Sequence, residues 1–196
     1  MGFDLSGVNP KMNMKQEELP VYDKYEKMDW PDRWKVLDKN KKERDKYWKE
    51  NDEFQKANPG IYFRNNVWWW RPLWQYVCDE FPDLLDDNDC ERGCYNDGHE
   101  ITEDKAMKIG VELTAMLEDG RVQAHNDMYE AQLEALPQVD CYVCDNNNRG
   151  HKKKKECKSC NQTGLKDDWA KSYPFDVENV REFAQFCLES GGFEIW

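Results

Sequence analysis

Two C-x-x-C pairs, Cys141-Tyr142-Val143-Cys144 and Cys157-Lys158-Ser159-Cys160, are separated by twelve residues. A C-x-x-C turn aims both sulfurs at one point, and two such turns at the ends of a short hairpin surround a tetrahedral ion. The pattern predicts one bound Zn²⁺ on Cys141, Cys144, Cys157 and Cys160, in a zinc-ribbon-like hairpin over 138–170. Four sulfurs close the coordination sphere and leave no position for water or substrate, so the metal is expected to be structural. Between the pairs lie Arg149, His151 and Lys152 to Lys155, followed by Lys158. These cations offset the negative charge of a zinc–tetrathiolate site. Nucleic acid is an unlikely partner for a chain this acidic, and that basic tip is the one place that would contact phosphates.

A second set of chemically capable residues is Cys90, Cys94, Asn96, Asp97 and His99. The Asn96-Asp97-Gly98 stretch reads as a turn entering a helix capped by Thr102. The same residues admit two other readings, a second metal on Cys90, Cys94 and His99, or an acid/base pair of Asp97 and His99. A third set is Arg64, Asn65, Asn66, Trp68, Trp69, Trp70 and Arg71. Successive helical side chains point about 100° apart, so three tryptophans in a row cannot share one core. Another element must cover part of the run, and the aromatic insertion described below is the expected cover. Otherwise Arg64, Asn66, Trp68, Trp69 and Arg71, with Asn96, Asp97 and His99, form a shelf for a base, a peptide or a ring ligand. No Gly-rich phosphate loop, nucleophile elbow or H-E-x-x-H motif occurs.

The elements that must position these residues are mostly helical. Strands are expected at Gly2–Leu5 (as a sheet edge), 61–63 and 193–196. Apolar spacing predicts helices over 68–81, 102–118, 122–136 and 177–190. Pro72 falls in or near the first turn of the 68–81 helix, and Gly120, Pro137 and Gly191-Gly192 are stop signals. Residues 11–58 differ in character, being rich in Lys and Asp with spaced aromatics. Pro31 starts a helix there, and the stretch 38–46 contains no apolar side chain. It is a helical hairpin or one long helix with a solvated centre. The fold class is α+β and predominantly helical, a single domain over 1–196 with a charged helical insertion and a zinc hairpin. Cys78 and Cys187 lie on apolar helix faces and read as small core fillers, and His125 as simply packed or exposed.

Charge and composition narrow the function classes. Of 196 residues, 40 are acidic and 28 basic, a net charge of −12, and mean hydropathy is −1.05. From Asp79 to Asp104 eleven acids face Arg92 alone. That segment is a solvated face or a surface for a basic partner, and the chain as a whole repels phosphate backbones. No run approaches the roughly 20 apolar residues that cross a bilayer, and the opening does not read as a secretion signal. The chain is therefore expected in a reducing cytoplasm, with its cysteines on metal and with no membrane partner. The opening Met1-Gly2 with Ser6 also fits the permissive N-myristoylation template.

Two resemblances add to this. Cys157-Lys158-Ser159-Cys160 followed by Gly164 is similar to one repeat of the cysteine-rich region of J-domain chaperones, which implies zinc. Met1-Gly2, Asp4-Leu5, Gly7 and Asn9-Pro10 begin a second resemblance. It continues through Tyr62 to Trp74, Asn96 to His99, the paired C-x-x-C, Tyr173-Pro174-Phe175 and Ser190 to Ile195. Together these resemble a family of small uncharacterised proteins of bacteriophages and some bacteria. The chain departs from that pattern in residues 11–58 and in ending on Trp196 where Cys is expected. The resemblance implies the cytoplasm of an infected bacterium and no reaction. The expected function is non-enzymatic, a zinc-stabilised protein that binds a host protein or blocks a host defence. The alternatives are a nucleotide-like ligand at Trp68–Trp70 and Asn96–His99, and acid/base catalysis by Asp97 and His99.

Overall fold

Phe3 and Leu5 alternate with Asp4 and Ser6, and this two-residue period gives strand β1 (Gly2–Gly7) one buried and one wetter face. The computed structural model describes residues 2–144 and 157–196. β1 was expected at a sheet edge and is instead interior, in a four-stranded antiparallel sheet of order β2-β1-β6-β3. Strand β2 (Tyr62–Asn66) runs along one side, Asp4 opposite Arg64 and Leu5 opposite Phe63. On the other side lies β6 (Phe193–Ile195), Leu5 opposite Ile195. A short strand not foreseen in the sequence, β3 (His99–Ile101), completes the sheet, His99 opposite Ile195. Asp4 and Trp196 exchange two backbone hydrogen bonds of 2.8 Å, extending the β1–β6 pairing to the last residue. Local composition marked β1 as a strand. Its place in the sheet depends on residues 60 and 190 positions away.

Eight α-helices occur among the described residues. In the insertion these are α1 (Pro20–Glu26), α2 (Trp30–Leu37) and α3 (Lys41–Ala57), so of the apolar-free stretch 38–46 only Asp38–Asn40 form the turn and the rest is the first part of α3. In the body follow α4 (Val67–Glu80), α5 (Asp87–Arg92), α6 (Glu103–Glu118), α7 (Arg121–Ala135) and α8 (Val177–Glu189). The fold is α+β and predominantly helical. Strands β4 (Val139–Asp140) and β5 (Leu165–Lys166) form a separate two-stranded ladder at the base of the cysteine hairpin.

The core lies between the inner face of the sheet and α4, α6 and α8. Phe3, Leu5, Ile101 and Phe193 meet Trp70, Leu73, Ile109, Leu113 and Phe183 there, all essentially inaccessible. Gly110 lets α6 lie directly on α8, since a methyl at that position would come within 2.8–3.0 Å of Leu188 and the Ala184 carbonyl. Helix α4 begins at Asn66, whose Oδ1 accepts from the Trp68 and Trp69 amides at 2.9 and 3.2 Å. Pro72 stands one turn deeper than expected, inside the helix, where it removes one intrahelical donor.

Helix α5 is pinned to α4. The Trp70 indole N–H donates to the Gly93 carbonyl at 2.8 Å, and that of Trp74 to the Cys90 carbonyl at 3.1 Å. Cys78 and Cys90 are disulfide-bonded with Cα atoms 5.8 Å apart, within the usual range for a bridge. This corrects two readings, that Cys78 is a core filler and that Cys90 joins Cys94 and His99 on a metal. The reason is geometric, because the packing of α5 on α4 turns Cys90 toward Cys78. Cys187 is, as expected, a buried free thiol.

The insertion builds its own small core from Tyr25, Leu37 and Tyr47. Buried Glu50 accepts from the Val21 and Tyr22 amides at 2.7 and 2.8 Å, placing a carboxylate on the open N–H groups of α1. Asn58 holds the base of the insertion, accepting from the amides of Asn13 and Met14 and donating to the Met14 carbonyl.

Gly93 lies flat against the Trp74 indole, and a Cβ there would run into the ring. Gly93→Ala is expected to destabilise the chain by about 1–3 kcal/mol, the usual cost of overpacking. Urea unfolding of the two proteins at equal concentration measures it, and equal midpoints would show that α5 is not held in the way described.

Candidate metal centre

The four cysteines come together. Their sulfurs all lie within 4.8 Å of one another, and all four residues are buried. Cys141 and Cys157 approach to 3.9 Å between sulfurs, Cys144 and Cys160 to 3.5 Å. Each pair sits on a tight turn. The Cys144 amide returns to the Cys141 carbonyl at 3.1 Å, and the Thr163 amide to the Cys160 carbonyl at 3.0 Å. Asn161 and Gln162 adopt φ of 48° and 67°, the left-handed bend that turns the chain back after Cys160. The β4–β5 ladder then joins the two turns, Cys141 donating its amide to the Gly164 carbonyl at 2.8 Å.

This donor set fits a metal. Around Cys160, burial alone would raise the thiol. The Gly164 amide at 3.3 Å and the neighbouring sulfurs outweigh that and bring it down to about 6. For Cys144, burial and the same neighbours act together and raise it. Four buried sulfurs with no carboxylate or imidazole among them could hold an ion, and together they would complete a tetrahedral sphere with no open position. The charge-offsetting role expected of Arg149, His151 and Lys152 to Lys155 concerns residues outside those the structure describes. Lys158 is exposed on its turn.

The other sequence-predicted residues do not converge. Arg64 and His99 belong to opposite edge strands of the sheet, β2 and β3. Arg64 lies 3.6 Å from Asp4, and the Asn96 amide donates to the Gly2 carbonyl at 2.7 Å. Asp97 pairs with Arg92 at 2.8 Å, whereas His99 turns to Asp89 at 2.9 Å. The expected acid/base pair is thus split between two structural contacts. Asn66 is occupied as the α4 cap. The Trp69 carbonyl accepts from Asn179 at 3.4 Å. Trp68 is covered, though not by the insertion. Trp169 and Tyr173 pack against it with ring centroids at 4.8 and 4.9 Å. They belong to the 3-10 turn Trp169–Ser172 and the residue after it, directly downstream of β5. The insertion is unsuited to that task because its own aromatics pack on one another.

One buried charge cluster went unnoticed in the sequence. Asp89, in the middle of the acidic segment, is almost inaccessible and takes His99 on one oxygen and Lys105 on the other at 2.5 Å. The ten other acids of 79–104 are exposed. Burial would raise the Asp89 carboxyl. Lys105, His99 and the Asp86 amide more than offset this and hold it below the usual carboxylate range. The only hint in the sequence was an Asp-x-x-Asp spacing, Asp86 to Asp89, which forms a capping box for α5.

No family model, curated protein or solved structure matches the chain.

Because the carboxyl of Asp89 is depressed in the folded state, its stabilisation is present above the unfolded pKa of about 3.9 and fades as pH falls below it. Asp89→Asn is expected to cost roughly 1.5–3 kcal/mol at neutral pH, the scale of hydrogen bonds to charged groups. The deficit should shrink at pH 3. Urea titrations of both proteins at the two pH values check it, and a deficit that grows in acid would contradict the assignment.

Proposed function

We propose that this chain is a non-enzymatic, zinc-stapled interaction protein. Its contact surface is the tryptophan face of the insertion, with the acidic segment 79–104 as an accessory surface. The observation that carries this reading is the exposure of Trp30 (61%) and Trp48 (42%) on either side of Trp34. The ring centroids lie 5.1 and 5.7 Å from Trp34. The Trp34 indole nitrogen is buried and has no partner among the described residues. Three neighbouring indoles, two of them wet, form the kind of patch that monomers rarely display and that binding hot spots favour. A rigid frame supports the patch. Arg33, itself buried, reaches Tyr47 at 3.2 Å and the Met28 carbonyl at 3.3 Å, and Tyr47 donates to Glu26 at 2.6 Å. Rigid aromatics lose little conformational freedom on binding.

Zinc is the metal that best suits the hairpin. At a Zn–S distance of about 2.3 Å a tetrahedron has S···S edges of roughly 3.8 Å. Two of the separations, 3.5 and 3.9 Å, bracket that value, and all four sulfurs lie within 4.8 Å of one another. Its role in this reading is to fold the hairpin, and through β5 to hold Trp169 and Tyr173 over Trp68. The resemblance to bacteriophage proteins supports a setting in the cytoplasm of an infected bacterium and a host protein as partner. Thiols at Cys78 and Cys90 in that compartment would still leave α5 on its two indole hydrogen bonds. Against catalysis by Asp97 and His99 stands their separation into different pairs. No described helix is long and apolar enough to cross a membrane.

Two experiments test the reading. Protein made with a zinc supply should carry about one zinc per chain, and Cys141→Ser should lose it. Chelation should then open Lys158 and Lys166 to trypsin, because apparent zinc energies of roughly 10–16 kcal/mol are what such short loops depend on. Full metal content in the serine variant would sink the site. In affinity capture from a bacterial host, the wild-type chain should retain a protein at fixed stoichiometry. Trp30→Ala/Trp48→Ala should lose it by at least about tenfold while unfolding at the same urea concentration. Equal retention by the double variant would remove the tryptophan face from the interface.

A further inference from the structure

A second concave feature stands apart from the metal and from the insertion. A cleft of about 410 Å³ opens between α4 and α7, at the low end of the sizes that hold small ligands. Its floor is aromatic. The Tyr76 and His125 rings lie 4.4 Å apart, and Tyr129 follows His125 with near-parallel planes at 6.0 Å. His125 is held toward its neutral form by burial, which Asp79 and Glu80 only partly oppose, so its ring face presents no fixed charge. Tyr129 is fixed by donating to the Tyr173 carbonyl at 2.9 Å. Tyr76 is 2% exposed, and its hydroxyl has no partner among the described residues. Its charged neighbours are Glu80, Arg121 and Asp119, which lie away from the cleft, so Tyr76 backs the floor and His125 and Tyr129 supply the accessible ring faces.

The polar groups at the mouth are ordered along one helix face. Arg71, Gln75 and Asp79 recur every four residues on α4, so they line one side of the cleft over roughly 12 Å. Arg71 marks the cationic end, its Nη1 3.3 Å from the Tyr173 hydroxyl. Asp79 marks the anionic end, accepting from Gln75 at 2.8 Å. A ligand matched to this order has a flat ring for the aromatic floor, an anion for Arg71, and an N–H donor for Asp79 at the opposite end. We infer that the cleft between α4 and α7 binds an amino-bearing heteroaromatic ring with an anionic tail, of the size and polarity of a nucleoside monophosphate. The ring stacks over His125 and Tyr129, the exocyclic amine donates to Asp79, and the phosphate meets the Arg71 guanidinium.

The site differs from the shelf expected around Trp68 and Asn96, sharing with it only Arg71. It also owes nothing to the tryptophan face. The test uses the full-length, zinc-loaded chain and adenosine 5′-monophosphate as probe. Saturation-transfer NMR should show the adenine protons receiving magnetisation from the protein, and calorimetry should give a saturable isotherm. Inosine 5′-monophosphate, with a carbonyl in place of the amine, should bind at least about fivefold more weakly, and Asp79→Asn should abolish that preference. Arg71→Gln should weaken the monophosphate by about tenfold and leave adenosine unchanged. Trp30→Ala/Trp48→Ala should bind the nucleotide like wild type, which separates this site from the protein-binding surface. No saturable binding at about 5 mM overturns the inference. So does equal affinity of wild type and Arg71→Gln for the monophosphate.

Discussion

Trp70 is the side chain on which the rest of the molecule converges. Fully buried, it stacks on Phe3 of β1 at 5.6 Å and on Trp74 at 5.2 Å, and meets Phe183 of α8 edge-on at 5.7 Å. Its one polar atom is spent on the Gly93 carbonyl, beyond the end of α5. A single residue thus touches the sheet, the helix that carries it, the helix packed beneath and the loop leading to β3. Truncating such a residue costs about 3–5 kcal/mol on transfer and cavity terms alone. Here it would also orphan a buried carbonyl. The position of α5 follows from this contact, and with it the placement of Asp89 against His99 and Lys105.

From Trp70 the neighbouring tryptophans diverge by helical geometry, and each requires a different neighbour. The Trp69 indole is half-buried, and its backbone carbonyl accepts from Asn179 of α8. Trp68 points toward the stretch after the cysteine hairpin, where Trp169 and Tyr173 cover it. The hairpin is therefore more than an appendage. A metal on its four sulfurs would fix β4 and β5, β5 leads within three residues to Trp169, and Tyr173 forms one wall of the cleft between α4 and α7. Tyr173 is also held by the Tyr129 hydroxyl on its carbonyl and by Arg71 at its own hydroxyl, so the hairpin is one of several supports of that wall. The four-sulfur site and the cleft are thus joined in the chain through two aromatic side chains, Trp169 and Tyr173.

How far the sequence disclosed this depends on the range of the interactions involved. The helices at 103–118 and 177–189 were legible because a buried stripe at 3.6-residue spacing is a local signal. Asp176 also caps the second through the Asn179 amide, whereas Thr102 stands at the N-cap of the first without a side-chain cap hydrogen bond. The four cysteines were legible for the same reason, since C-x-x-C turns specify their own geometry. What failed was long-range. The interior position of β1 depends on β2 and β6, and the Cys78–Cys90 bridge on the docking of α5. Asp89 looked like one acid among eleven, because nothing nearby in sequence shows that Lys105 and His99 will reach it. The cleft was hidden in a similar way. His125 and Tyr129 share a helix face, which the spacing implies, but Tyr76 and Tyr173 arrive from elsewhere.

The insertion illustrates how a charged segment can be added to such a frame without disturbing it. Its two ends are brought together by one side chain, as Asn58 closes hydrogen bonds to Asn13 and Met14, and Lys11 donates to the Glu189 carbonyl at 2.8 Å. Loop-closure entropy grows only slowly with length, so a long excursion between clamped ends costs little more than a short one. The excursion then meets its own hydrophobic requirement through Tyr25, Leu37 and Tyr47, and satisfies the start of α1 with Glu50. Since it draws nothing from the main core, its outer face is free of packing duties. Trp30 and Trp48 stay wet on a segment that has its own small core, although Trp34 Nε1 and Arg33 Nε are buried there without partners among the described residues. The outward-facing pair of indoles is therefore not required by the packing of the main core, and it is on this ground that the proposed interaction surface is placed on the insertion.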